Sequence, residues 1–442
     1  MKRLVYRLRD SLDQLPATDH YLVAYSGGRD SHVLLHLLAG LATAASRPRI
    51  SAVHVNHGLQ SGADAWTSHC LTVCNALGIR CHTLRLKLAP SVGESPEAQA
   101  RDARYQALER LLQPGEILLT AHHQDDQAET LLLQLLRGAG PAGLAAMPLV
   151  SRFGCGYLAR PLLGVERTVI DRYARSEQLS WIEDPSNRST QFDRNFLRNQ
   201  VMPLLRQRWP AAARTIARSA RLCAESQALV EQVATETLQH LWSPAQHTLA
   251  LTALAQLEVP RARAVLRAWI AAEGFPTPGS AKLERLLHEM VNARSDRNPL
   301  VHWPGVEVRR FRDRLYIMPP LPALQEAERS LDWDGQSLLE LPAGIGQLTA
   351  EQGMGGICLP RWRRGTLQVC FAPRQQSVRI AGRRHSTSFK KLFQHYGVPV
   401  WMRLRTPLIY LDNQLAAVGD LCICEPFAAA DGEPGIHVRW LR

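Results

Sequence analysis

Four short apolar runs alternate with four helix-length stretches over residues 21–136. Tyr21–Tyr25, Ile50–Asn56, Thr83–Leu88 and Ile117–Ala121 have the length and β-branched or alternating character of strands. Asp30–Leu41, Asp64–Leu77, Pro96–Leu112 and Asp125–Leu136 have helical length and composition. A strand–helix order repeated four times leaves few folds open. Parallel strands need crossover connections, and the helices that supply them cover the sheet faces. The fold class expected is therefore α/β, with an N-terminal doubly wound parallel sheet. Ligands of such sheets bind at the carboxyl ends of the strands, so the residues that follow each strand are the ones to inspect.

At 442 residues the chain is too long for one domain. From Ser151 to Pro210 the pattern weakens to loops, one short helix near Glu166–Gln178 and a turn-rich stretch. Ala211–Leu241 reads as one long helix. Helices at Val259–Ala272 and Lys282–Asn292 and a hairpin at Val306–Ile317 follow. Pro319-Pro320-Leu321-Pro322 marks a linker, and short strands between Gly/Pro turns then predict a small α+β or β-rich domain. The expected divisions are 1–210, 211–320 and 321–442.

The N-terminus lacks the apolar h-region of a signal peptide, and no run approaches the ~18 apolar residues of a membrane span. A soluble, cytoplasmic protein with no membrane partner is expected. Nine cysteines without a C-x-x-C spacing are too sparse for a disulfide framework, and Cys70 and Cys74, like Cys422 and Cys424, read as buried free thiols. The 52 basic against 40 acidic residues give a net charge of +12, which favours a polyanionic partner. Only five of the 52 are lysine. Arginine suits phosphate forks; GC-rich codons explain that ratio equally well, but not the net excess.

Ser26-Gly27-Gly28-Arg29-Asp30-Ser31 follows the first strand and opens a helix. Two glycines allow a tight turn whose N–H groups, with the helix N-terminus, form an anion cradle. The loop is neither a Walker A motif nor G-x-G-x-x-G. Asp30 beside such a cradle would repel phosphate unless a cation lay between them, which points to Mg²⁺. A strand-to-helix turn with an Asp/Ser cap would look similar. After the fourth strand, Asp126 and Glu129 lie three apart on a helix and share a face. They could hold an ammonium group or a hydrated Mg²⁺, or merely complement the helix dipole. Arg101 and Arg104 share another helical face, suited either to phosphates or to a solvated salt-bridge surface.

Ser26–Ser31 after a buried strand resembles the SGGxDS motif of the PP-loop ATP pyrophosphatases. The order His57-Gly58-Leu59, Ala100-Arg101 with Arg104-Tyr105, His122 to Glu129, Arg137-Gly138-Ala139-Gly140, Arg160-Pro161-Leu162-Leu163, Glu183-Asp184-Pro185-Ser186-Asn187 and Arg194-Asn195 resembles, within that superfamily, bacterial tRNA(Ile)-lysidine synthetases over roughly residues 20–210. The resemblance implies ATP held by Ser26, Gly27, Gly28, Arg29, Asp30, Ser31, His57, Arg101 and His122, with Mg²⁺ at Asp30. It implies free L-lysine held by Asp126, Glu129 and, more weakly, Ser186. Asp30, Asp126 and Glu129 would be the catalytic carboxylates. The implied substrate is a tRNA(Ile) with a CAU anticodon, whose first cytidine is adenylated at O2 and then attacked by lysine. A PP-loop tRNA thiolase would share the adenylation but would call for paired cysteines. A non-catalytic RNA-binding relic would not need an intact motif.

The RNA face is expected where basic residues concentrate. Residues 188–221 hold eight arginines and one acid, and residues 361–405 hold eleven Lys/Arg and no acid. Arg194, Arg198, Arg214, Arg218, Arg383, Arg384, Lys390 and Lys391 are the candidates to meet phosphates. Trp362, Phe371, Phe389, Phe393, Tyr396 and Trp401 are interleaved and read mostly as core. A homodimer is left open.

Overall fold

A computed structural model describes residues 2–41, 48–56, 58, 62–86, 96–293 and 298–441. Its contacts divide the chain into two units, Met1–Val230 and Glu231–Arg442.

The first unit contains α1 (Lys2–Asp13), β1 (His20–Ala24), α2 (Arg29–Leu41), β2 (Arg49–Asn56), α3 (Ala63–Ala76), β3 (Arg80–Arg85), α4 (Pro96–Leu111), β4 (Ile117–Leu119) and α5 (Gln124–Leu136). It continues with α6 (Pro141–Leu144), β5 (Val150–Phe153), β6 (Gly156–Ala159), α7 (Arg167–Ser176), α8 (Asp193–Phe196), a π-helical turn at Leu197–Val201, and α9 (Met202–Arg208). The sheet order is β3-β2-β1-β4-β6-β5. All pairings are parallel except β5 with β6.

Side chains leave each strand on alternate faces, and both faces are covered. Tyr21, Val23, Ile117 and Leu119 pack with residues of α1, α2, α3 and α7. Leu22, Leu118 and Leu158 pack with Leu108 of α4 and with Leu112. The sheet is thus doubly wound, as expected. Among the elements that were not anticipated, two shape the sheet and its core. Amphipathic α1 buries Leu4 and Leu8 against the first of these cores. β6 adds a fifth parallel strand within the stretch that read as loops. Its start, Gly154-Cys155-Gly156, looks like a turn in sequence, yet a Cβ at Gly156 would stand 2.3 Å from the Glu116 carbonyl oxygen. Glycine is there to let β6 approach β4.

Helix α10 (Ala212–Leu241) runs from the first unit into the second. The second unit then has β7 (Trp242–Ser243), β8 (Thr248–Ala250), α11 (Leu251–Ala255), α12 (Val259–Ala272), α13 (Ser280–Asn292) and the antiparallel β9 (Leu300–Trp303), β10 (Val306–Phe311) and β11 (Arg314–Met318). Trp269, Leu283 and Val308 lie in their common core. The last part is built mainly of antiparallel strands. One sheet runs Ser330–Trp333, Leu367–Cys370, Leu408–Leu411, Gln414–Val418 and Cys422–Ile423; another runs Leu339–Leu341, Gly346–Met354, Pro434–Leu441 and Ile357–Cys358. Trp362, Phe371, Phe389 and Phe393 are buried there. Trp401 packs edge-on to Tyr316, with ring centroids 5.3 Å apart.

Candidate active site

The turn after β1 is held by its own hydroxyls. Ser31 Oγ accepts from the Ser26 N–H at 3.3 Å and donates to the Gly28 carbonyl at 2.9 Å; it also lies 3.0 Å from Ser26 Oγ. Gly27 has φ +81°, and a Cβ there would sit 2.8 Å from Ile182 and 3.0 Å from the Cys70 sulfur. The Ile182 N–H donates to the Gly27 carbonyl at 2.9 Å, so the chain entering Glu183–Asn187 is pinned against this turn. The His32 N–H makes the first bond of α2, to the Gly28 carbonyl. The N–H groups ahead of it have no partner within the helix, as an anion cradle requires.

Asp30 stands at that N-terminus with its side chain 34% exposed. Arg29 Nε lies 3.2 Å from one oxygen and His123 Nε2 3.5 Å from the other. Burial by itself would raise the Asp30 pKa, but His123 and Arg29 outweigh it and hold the carboxyl below its ordinary value, against repulsion from Asp126.

His123 is the residue sequence reasoning missed. It caps α5: the Asp126 carboxylate accepts its N–H at 2.9 Å. Its ring is 3% exposed and lies between Asp30 and Asp126, 3.4 Å from the latter. Only its place, one residue after His122 and three before Asp126, hinted at this. The His123 ring thereby links the carboxyl ends of β1 and β4. Next to it, Asp125 accepts the Arg167 N–H at 3.2 Å and pairs with Arg206, which ties α5 to α7 and α9.

Asp126 and Glu129 lie together on the buried face of α5. Arg194 Nε is 3.0 Å from one Glu129 oxygen, and Arg198 Nε is 2.8 Å from the other. Both guanidinium groups reach Asp126, at 3.2 and 2.7 Å. Arg194 and Arg198, expected on an RNA face, are thus turned into this acidic pair. The physical reason is the burial of Glu129, whose side chain is 2% exposed: a buried charge needs a counter-charge. Burial would raise the Asp126 pKa, yet His123, Arg194, His122 and Arg198 hold it far below the usual carboxylate range.

The other candidates fall as follows. His122 Nδ1 lies 2.8 Å from Thr120 Oγ1. Ser186 is exposed; its N–H donates to Asp184 and its carbonyl accepts from Asn195 at 3.1 Å, which joins its loop to α8. Arg101 is exposed on α4, over the Tyr105 ring. His57 lies outside the described residues. Arg214 and Arg218 are exposed on α10, whereas Arg383, Arg384, Lys390 and Lys391 are exposed in the second unit.

Residues 2–205 match the family model of the PP-loop domain. Residues 249–316 match the TilS substrate binding domain and residues 367–440 the TilS substrate C-terminal domain. The tRNA(Ile)-lysidine synthase of Methylococcus capsulatus is 44% identical over 441 residues, covering 98% of this chain and 100% of the relative. The chain belongs to the tRNA(Ile)-lysidine synthase family. The Serratia proteamaculans synthase is 44% identical, with 97% of each chain covered, and that of Coxiella burnetii 40%, with 98% and 96% covered.

Membership in the tRNA(Ile)-lysidine synthase family sets aside the thiolase and the non-catalytic relic as readings of the PP-loop, and the PP-loop domain implies use of ATP. The site then has a measurable pH signature. Burial, reinforced by Arg194, Arg160 and Arg101 against the pull of Asp126, lowers the His122 pKa from 6.5 to about 3. Between those values the unfolded chain binds a proton that the folded one does not. His122 therefore stabilises fully above pH 6.5 and loses that contribution as the pH falls toward 3. Denaturant titrations from pH 7 to 4 are expected to show a shallower loss of stability in His122→Asn than in the parent protein. Parallel pH profiles would contradict this.

Proposed function

We propose that the enzyme joins free L-lysine to C2 of the first anticodon cytidine of a CAU-anticodon tRNA(Ile), in the cytoplasm. No helix among the described residues is long and apolar enough to cross a membrane. The observation that carries the proposal is the meeting, through His123, of the PP-loop carboxylate Asp30 with the acidic pair on α5.

The two places suit two steps. The cytidine O2 attacks the α-phosphorus of ATP, and pyrophosphate leaves. The ε-amine of lysine then attacks C2, and AMP departs with the former O2, so a proton must be taken from the amine. Ser26, Gly27, Gly28, Arg29 and Ser31 would receive the phosphates, with Arg101, His57 and His122 around the nucleotide. Asp30 presents a partly exposed carboxylate, a hard oxygen donor, at the cradle, which fits Mg²⁺ completed by phosphate oxygens and water. Such an ion would supply charge neutralisation at the leaving pyrophosphate. Asp126 or Glu129 would hold the lysine ammonium, by exchanging an arginine for it, or take its proton once that exchange has removed the arginine charge. Free lysine also carries a carboxylate, so two carboxylates beside two guanidinium groups complement the whole amino acid. Ser186, on the loop joined to α8, would contact it from the rim.

For tRNA we assign Arg214 and Arg218 of the long helix and Arg383, Arg384, Lys390 and Lys391 of the last domain. Arg194 and Arg198 would reach RNA only by exchanging partners at the acidic pair. These roles divide the chain into a catalytic domain over 1–210 and RNA-binding domains over 211–320 and 321–442. Replacing Arg383 and Lys390 together by Gln should weaken tRNA binding and lower its salt slope by up to ~2, roughly one per lost phosphate contact, while ATP affinity stays unchanged. Titrations at several salt concentrations check this; an unchanged slope would remove the pair from the RNA face.

The overall test is release of AMP and pyrophosphate from ATP as a function of added RNA. Release should require a CAU anticodon loop and should not occur with a loop carrying another first base.

A further inference from the structure

Three arginines lie on the flank of the site, and among the described residues no carboxylate pairs with them. Arg160 directly follows β6, at the carboxyl end of that strand. It is only 8% exposed. Its Nη1 donates to the Pro148 carbonyl at 2.9 Å, but its Nε is buried without a partner. Half-buried Arg104 and exposed Arg101 of α4 both face the Tyr105 ring, with Cζ 5.5 and 5.3 Å from its centroid. Among the described residues, none of the three forms an ion pair. Burial, and repulsion from Arg101, lower the affinity of Arg104 and Arg160 for their protons, with Tyr105 opposing.

Elsewhere at this sheet edge buried charge is matched: Asp126 and Glu129 meet Arg194 and Arg198, and Asp125 meets Arg206. A buried guanidinium with an unused donor and no acid is the exception, and an incoming anion would remove the cost. We propose that Arg104 and Arg160 form a phosphate site that grips the backbone of the RNA strand next to the reacting nucleotide.

Topology favours RNA over ATP as the source of that phosphate. The cradle follows β1, and β1 lies between β2 and β4. Arg160 follows β6, on the far side of β4 from the cradle. Two strand spacings put it about 10 Å from the β1 end, with the acidic pair of α5 arising between them. A base reacting over α5 carries its phosphates one sugar away, so one of them falls on this flank while the ATP phosphates lie in the cradle, and Arg101 stands between the two. Arg101 strengthens the positive field without being a required ligand. The inference rests on the RNA reading above and adds to it a named contact.

The test uses the full chain, a CAU anticodon stem-loop, and versions of that RNA with one uncharged methylphosphonate linkage on either side of the target cytidine. One of the two modified RNAs should bind the parent protein about tenfold or more weakly than the unmodified RNA. Arg104→Gln should weaken the unmodified RNA by a similar factor, and the two losses should not add. ATP affinity, measured alongside, should stay within twofold. Arg160→Lys, which keeps the charge but loses the fork, guards against a variant that fails to fold and should lose part of the effect. Additive losses, or no loss with either methylphosphonate in the parent protein, would overturn the phosphate site while RNA-dependent AMP release stood. A tenfold loss of ATP affinity in Arg104→Gln with RNA binding unchanged would assign the arginines to ATP and also overturn it. Failure of the parent protein to bind unmodified RNA would overturn both this inference and the proposed function.

Discussion

Asp30→Asn is expected to cut conversion of ATP to AMP by about 10³-fold or more while leaving the fold intact. The size follows from what the carboxylate would do. A charge that helps hold a metal against the pyrophosphate supplies several kcal/mol at the transition state, and each ~1.4 kcal/mol is tenfold in rate. The tolerance follows from its surroundings. Asp30 is partly exposed, and Arg29 keeps a second carboxylate, Asp171, at 2.9 Å. In the variant Arg29 keeps Asp171 and His123 keeps Asp126 at 3.4 Å, so neither is stranded without an acid and the loss of stability stays small. Initial rates at saturating ATP and RNA, together with a thermal melt, check both halves. Turnover within tenfold of the parent would remove Asp30 from the chemistry.

Glu129→Ala is expected to have the largest effect on stability, about 3–5 kcal/mol, because it leaves Arg198 and Arg194 inside the protein without their main acid. For a unit of this size that corresponds to a fall of roughly 6–20 °C in its melting midpoint. Burial would lower the Arg198 pKa, but hydrogen bonding and charge at Glu129 drive it well above its ordinary value; with Glu129 gone the guanidinium still does not give up its proton, so the charge remains. The companion Glu129→Leu/Arg198→Met should recover part of the loss, since the charge is then removed with its partner. Lysine-dependent product formation should not recover in the double variant. Equal destabilisation in single and double variants would show that packing, not charge, sets the cost.

The sheet was legible because its helices and most of its strands carry their own periodicity. Asp30–Leu41 and Val259–Ala272 fall within a residue of the helices that form. β6 was not legible, since four residues beginning at a glycine become a strand only by pairing with β4 and β5. The cradle was legible because Gly27 needs its positive φ locally. By contrast, the partners of Asp126 and Glu129 arrive from 65 to 72 residues downstream, and no spacing within α5 announces them. Reading Arg194 and Arg198 from local charge density alone placed them with the RNA-facing arginines. The same blindness hid His123, whose position between two carboxylates exists only when β1 and β4 lie side by side.

The most direct test of the account is the mass of the first anticodon nucleoside after incubation with ATP, Mg²⁺, lysine and CAU-anticodon tRNA(Ile). The account requires a cytidine heavier by one lysine less one water, formed only when ATP and lysine are both supplied. An unmodified cytidine after prolonged incubation with folded enzyme and bound tRNA would contradict it.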